Sequence, residues 1–175
     1  MLIITAVGPD QPGMAHAVAL ALAEADCNIE DTTMTRLSGE FAMILIVSPP
    51  EGTGRDEIAT MLTPLEASHG LFISCRTIGN DEIEAEDIGA RYIVSVYGPE
   101  AKGLLARVTG MLARRRINIT DVQTRVASAG AVYIMILEVE LPAELDAANL
   151  QADLQGEAGE AGLQLSLRAL EEEVI

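Results

Sequence analysis

Apolar residues change their spacing along this chain in a fixed order, and the whole order occurs twice. Leu2-Ile3-Ile4-Thr5-Ala6-Val7 is a short apolar run closed by Gly8-Pro9, which predicts a strand covered on both faces or nearly so. Met14, Val18, Ala21, Leu22 and Ala25 follow at helical spacing, with Gly13 marking the start of the helix. From Ile29 to Leu37 the chain mixes Thr, Met and Arg, as an edge or half-exposed strand does. Ser38-Gly39-Glu40 is a turn, and Phe41 to Val47 returns as a strand. Pro49-Pro50-Glu51-Gly52 breaks the chain, after which Ile58, Met61, Leu62 and Leu65 restore an amphipathic helical stripe. Pro64 lies inside that stripe and predicts a kink or an early helix end, because proline offers no N–H and its ring crowds the preceding turn. Leu71 to Ile78 closes the unit as a strand, giving βαββαβ.

The second passage starts at Arg91. It predicts a strand over Tyr92–Tyr97, a helix over Leu104–Arg116, strands around Ile117–Val126 and Ala131–Leu141, a helix over about Asp146–Ala161 and a strand over Leu163–Leu170. Gly8, Pro9, Gly13, Val18, Leu22, Ala23, Asn28, Ile29 and Asp31 each recur ninety positions later without a gap. Repetition at this level sets the fold before any single element does. Between the copies, Asn80–Asp87 carries five acids and no base, the composition of a solvated spacer. The expected organisation is module one over 1–79, an acidic linker over 80–90 and module two over 91–175. The expected fold class is α+β: two ferredoxin-like βαββαβ modules in tandem, each an antiparallel sheet with its helices on one face.

Composition changes this picture in three ways. The chain is 49% hydrophobic but only 3% aromatic, so its cores must be aliphatic. Its 11 Lys and Arg face 27 Asp and Glu, for a formal net charge of -16. Nucleic-acid binders draw most of their affinity from neutralising phosphates, so direct nucleic-acid binding is not expected. No apolar run approaches the roughly 18 residues of a membrane span. The N-terminus shows no basic region or cleavage site, so no signal peptide is expected. Cys27 and Cys75 belong to no motif and do not recur between the copies, which suits buried thiols in a reducing cytoplasm. No catalytic residues, metal or cofactor are expected. No Ser-His-Asp, Cys-His or paired-carboxylate pattern stands out, and His16 and His69 read as surface or helix-end residues. Arg114-Arg115-Arg116 read as cations complementing a helix end or, alternatively, meeting an acidic partner.

The chemistry that remains lies in the repeated turn and in the asparagine after the helix. Gly8-Pro9-Asp10-Gln11-Pro12-Gly13 and Gly98-Pro99-Glu100-Ala101-Lys102-Gly103 each join a strand to a helix start. Two readings stand side by side. The turn can hold a small carboxylate on the unpaired N–H groups of the helix, or it can be a tight turn with Asp10 capping the helix. Asn28 and Asn118 likewise read either as left-handed caps or as amides able to hold the zwitterionic head of an amino acid. Asp31 and Asp121 read first as polar residues of a strand edge and alternatively as helpers of that site.

These residues carry a resemblance. The βαββαβ order, Gly8–Gly13 and Cys27-Asn28-Ile29-Glu30-Asp31 are similar to an ACT domain, the small-molecule sensing module of amino-acid metabolism, and the tandem resembles the glycine cleavage system transcriptional repressor family. The resemblance implies a non-enzymatic, cytoplasmic, homodimeric regulator that senses a small amino acid of the glycine or serine class. It would act through a protein partner, a transcriptional activator or a metabolic enzyme, without touching nucleic acid or membrane. It implies ligand binding at module interfaces by Asp10, Gln11, Pro12, Gly13, Met14, Asn28 and Ile29 in the first copy. In the second, the matching residues are Glu100, Gly103, Leu104, Asn118 and Ile119. The family's basic residue before the loop proline is replaced by Gln11 and Ala101, and Lys102 stands where the proline would be, so the two copies should not be equivalent.

Overall fold

The structure is a computed structural model that describes residues 1–79, 89–127 and 132–170. The chain divides into two compact units, Met1–Glu84 and Ala85–Ile175. Unit one contains β1 (Leu2–Pro9), α1 (Met14–Glu24), β2 (Asn28–Leu37), β3 (Glu40–Ser48), α2 (Arg55–His69) and β4 (Phe72–Thr77). Unit two contains β5 (Ala90–Pro99), α3 (Leu104–Ala113), β6 (Asn118–Ala127), β7 (Val132–Leu141), α4 (Ala147–Gly159) and β8 (Gln164–Ala169). The expected acidic linker at Asn80–Asp87 lies outside the described residues.

Each unit forms one four-stranded antiparallel sheet, in the orders β2-β3-β1-β4 and β6-β7-β5-β8. In unit one Leu2, Ile4 and Ala6 of β1 share a face with Phe41, Met43, Leu45 and Val47 of β3, and all are buried. Met14, Val18 and Leu22 of α1 and Ile58 and Leu62 of α2 complete that core. Unit two repeats the layer with Val94, Val96, Met135, Leu137 and Val139 beneath Val108, Met111, Leu112 and Leu154. Among the buried side chains of the described residues Phe41 is the one aromatic, so the cores are aliphatic. Burying such a side chain is worth about 1.5–3 kcal/mol, and no polar or charged residue is buried among the described residues.

The structure corrects three expectations. β1 is covered on one face only: Ile3 and Thr5 are half-buried and Val7 is exposed, because both helices lie on the opposite side. Pro64 does not end α2, which runs on to His69. Its missing N–H falls on the outer surface, and the hydroxyls of Thr60 and Thr63 bond back to the carbonyls of Asp56 and Ala59 around it. α3 stops at Ala113, short of the arginine triplet. Arg114 and Arg115 instead clamp Glu157 of α4 from two sides, Arg115 Nη1 lying 3.1 Å from the carboxylate.

Candidate functional site

The two glycines of each repeated turn serve different physical needs. Gly8 packs so closely on the residues before β4 that a Cβ would sit 2.7 Å from the Gly70 carbonyl oxygen. Gly98 is similarly close, 2.4 Å from Leu163 Cδ2. Gly13 and Gly103 have open space around them, and what they supply is backbone conformation. They stand at the N-caps of α1 and α3 with φ of 95° and 82°, a left-handed geometry that costs an L-residue energy.

Neither helix has a side-chain cap at its start. Asp10 therefore does not cap α1. Its backbone N–H donates to the Gly39 carbonyl at 2.8 Å, and its carboxylate accepts from Arg36 Nη1 at 3.3 Å, which ties the turn to the β2–β3 hairpin. Gln11 and Pro12 are exposed. Met14 and Leu104 are buried in the cores, and the Met14 backbone N–H already donates to the Gln11 carbonyl at 3.3 Å, so the free first-turn donors of α1 are those of Ala15 and His16. Glu100 is exposed and forms no ion pair among the described residues.

Asn28 and Asn118 are not the left-handed residues that end the helices. Those are Asp26 (φ 54°) and Arg116 (φ 57°), two positions earlier in each copy. The N–H groups of Asp26 and Cys27 donate to the carbonyls of Ala23 and Leu22, and those of Arg116 and Ile117 donate to Ala113 and Leu112. This is the Schellman pattern, which satisfies the last helix carbonyls. Each asparagine then opens an edge strand, with a bulge two residues later at Glu30 or Thr120. Ile29 and Ile119 pack partly against the cores and anchor those strand starts.

Both asparagine amides donate to a carboxylate, but from different positions. Asn28 Nδ2 donates to Glu30 Oε1 at 3.0 Å, and Asn118 Nδ2 to Glu140 Oε2 at 2.9 Å. Ser48 faces Asn28 across the ladder where Glu140 faces Asn118. The acid has moved from the bulge to the facing strand while the pairing is kept. The Ser48 hydroxyl and then the Asn28 amide hold the Glu30 carboxyl below its ordinary value.

Within one module the turn and the asparagine lie at opposite ends of the sheet. Asn28 pairs with Ser48 at the Leu2 end of β1, whereas the turn leaves the Pro9 end. Eight strand steps of about 3.3 Å, from Ser48 to Glu40, put them roughly 26 Å apart along the strands.

Sequence comparison decides what kind of module this is. The ACT-domain profile matches residues 1–76 and again 91–168. The chain belongs to the ACT-domain family. This ACT-domain protein is 25% identical over 178 aligned positions to the glycine cleavage system transcriptional repressor of Escherichia coli K12, covering 97% of this chain and 90% of that one. A UPF0237 protein of Corynebacterium glutamicum is 39% identical over 74 residues, 41% of this chain and 81% of its own length. Among solved structures, an unknown protein from Galdieria sulphuraria superposes with a TM-score of 0.79 at 27% identity, covering 97% of this chain and 98% of that one. A candidate glycine cleavage system transcriptional repressor gives 0.74 at 21% identity, covering 98% of this chain and 97% of that one, a likeness of fold.

The ACT-domain protein also carries a cleft that the sequence did not announce. It lies wholly in module two, with a volume of about 540 Å³, beside Ala90, Tyr92, Arg116, Asn118, Glu140, Leu141, Glu144 and Leu145. Arg116 Nη2 lies 3.4 Å from Glu144 Oε1 at its rim. The sequence signal for it was weak: an arginine at the left-handed position after a helix, facing a proline-led connection. Among the described residues no group of three His, Cys, Asp or Glu is placed to hold a metal ion. Nor is any helix among them long and apolar enough to cross a membrane. Cys27 and Cys75 are half-buried free thiols, both pushed up chiefly by burial.

Proposed function

We propose that this ACT-domain protein is a non-enzymatic regulator that senses a small amino acid, of the glycine or serine class, and passes its state to a protein partner. The observation that carries the reading is the duplicated helix start behind a left-handed glycine, left without a side-chain cap. Apart from the Met14 N–H, which donates to the Gln11 carbonyl, the first-turn N–H groups there have no intrahelical partners and lie at the positive end of the helix dipole, a setting suited to a ligand carboxylate. Asp10, or Glu100 in module two, supplies a counter-charge for the ligand ammonium, with Gln11, Pro12, Gly13, Met14, Gly103 and Leu104 forming the rest of the turn. A ligand that also touches Asn28 or Asn118 requires a second module, since one module keeps turn and asparagine at opposite ends. In this reading that module belongs to another copy of the chain, in a homodimer whose assembly is biased by ligand. Binding shifts such an equilibrium only by its differential affinity for the two states.

The net charge of -16 and the likeness to a protein named as a transcriptional repressor support action on a transcription factor or a metabolic enzyme, without direct contact to nucleic acid. A thermal-shift panel of amino acids tests the reading. Ligand at about 100 Kd stabilises the bound state by roughly 2.7 kcal/mol. A panel that includes glycine and serine and yields no shift defeats the sensor.

A second reading, a ligand-free dimerisation module, is favoured by the bare edges: β2 and β6 are exposed along almost all of their ten residues. In that case Asn28→Ala and Gly13→Val leave assembly intact and abolish no ligand response.

A further inference from the structure

The module-two cleft and the charges at its mouth belong to a different part of the fold from the glycine turns. The cleft lies at the Ala90 end of β5, whereas Gly98–Gly103 leaves the other end. Three features bear on what it could hold. Its volume of about 540 Å³ falls within the roughly 300–1,000 Å³ typical of small-molecule sites and exceeds what glycine or serine fills. Its lining combines apolar area from Tyr92 and Leu141 with one guanidinium, Arg116, and two carboxylates, Glu140 and Glu144. Glu140 is already oriented, because Asn118 Nδ2 donates to its Oε2 at 2.9 Å, leaving Oε1 and the Asn118 Oδ1 as acceptors.

Arg116 is placed there at a conformational cost. It holds φ 57° at the end of the Schellman turn, where glycine is the least strained residue. The same position in module one is Asp26, at φ 54° and of opposite charge. Arg116's pairing with Glu144 is between side chains 84% and 63% exposed, a weak and exchangeable contact that leaves guanidinium donors for a second anion.

We propose that this cleft is a second ligand site, taking a zwitterion with an apolar body larger than serine. Arg116 reads the anionic group. Glu140, with the Asn118 carbonyl oxygen, reads the ammonium, and the apolar body lies toward Tyr92 and Leu141. With one cation and two anions at the mouth, the cleft tolerates loss of the ligand's carboxylate better than loss of its ammonium. The site uses Asn118 of the reading above but none of its glycine turns.

The test is calorimetric titration of the full chain with L-leucine, its decarboxylated analogue isoamylamine, its deaminated analogue 4-methylvalerate, and glycine. The expected order of affinity is leucine, then isoamylamine, then 4-methylvalerate, with each one-charge analogue at least ten-fold weaker than leucine. Arg116→Gly should lose at least ten-fold for leucine and no longer distinguish it from isoamylamine. Its melting temperature should be equal to or above the parent's, which separates lost recognition from lost folding. Glu140→Gln should keep the Asn118 hydrogen bond yet no longer distinguish leucine from 4-methylvalerate. A Gly103→Ala variant should leave leucine binding unchanged. If glycine binds and leucine does not, or if Arg116→Gly and Glu140→Gln bind leucine as the parent does, the second site is overturned while the turn site stands. Silence toward every amino acid overturns both.

Discussion

Alanine substitutions at Gly8 and Gly13 separate two costs that the repeated turn conceals. At Gly13 an added methyl meets nothing within 4 Å, so the whole cost is the left-handed backbone at φ 95°. That conformation costs an L-residue about 1–2 kcal/mol, and the stiffer unfolded chain returns about 0.4–1 kcal/mol, for a net loss of roughly 0.5–1 kcal/mol. At Gly8 the backbone is an ordinary strand, but the methyl would lie 2.7 Å from the Gly70 carbonyl oxygen and 3.2 Å from Leu71 Cα, both main-chain atoms. Main chain cannot rotate aside, so the upper part of the ~1–3 kcal/mol overpacking range applies. Gly98→Ala falls between them, since its nearest neighbour is the end of the Leu163 side chain. For a unit of this size 1 kcal/mol moves Tm by about 4–8 °C. The assay is urea and thermal unfolding followed by far-UV circular dichroism. Tyrosine fluorescence separates the units, because Tyr92, Tyr97 and Tyr133 all lie in module two. Module-one variants should therefore lower the dichroism transition and leave the tyrosine signal in place. A Gly13→Ala variant as destabilised as Gly8→Ala, or more so, refutes the assignment of packing to one glycine and conformation to the other.

Three further predictions follow from the same geometry. Asp26→Gly relieves a left-handed residue at the end of α1 and should raise module-one stability by about 0.5–1 kcal/mol; an unchanged urea midpoint contradicts it. Glu157→Gln loosens the clamp of Arg114 and Arg115 between α3 and α4. It should cost module two up to about 1 kcal/mol at low salt, with the difference shrinking in 1 M NaCl, as a double series of denaturation curves would show. Glu30 has a lowered folded pKa, so its contribution to stability is present above its unfolded value and is lost as pH falls through the folded one. NMR titration should find its midpoint below that of free glutamate, moving up in Ser48→Ala and, by less, in Asn28→Ala; a midpoint at or above the free value removes the hydrogen bonds as its cause.

Legibility differed between the fold and the candidate site for a physical reason. Strand and helix order could be read because apolar spacing alternates between periods that only one backbone geometry can bury on one side. The glycine pair could be read as a turn, but its division of labour could not, since the neighbour that forbids a Cβ at Gly8 is Gly70, sixty-two positions away. Asp10 looked like a cap until the fold brought Arg36 beside it. Asn28 and Asn118 looked like left-handed caps because position after a helix is a local clue. The number of residues in the Schellman turn, which puts Asp26 and Arg116 in that conformation instead, is settled by where the helix leaves the core.

By itself, then, the sequence determined that there are two aliphatic-cored βαββαβ modules, because periodicity and a ninety-residue repeat are properties of the chain alone. Tertiary structure decided that the turn and the asparagine of one module stand at opposite ends of its sheet. It also decided which carboxylate each asparagine holds, and that only contact across strands far apart in sequence opens a cleft beneath Arg116. Pairing partners and cavities depend on distances between residues remote along the chain, and no local pattern encodes those.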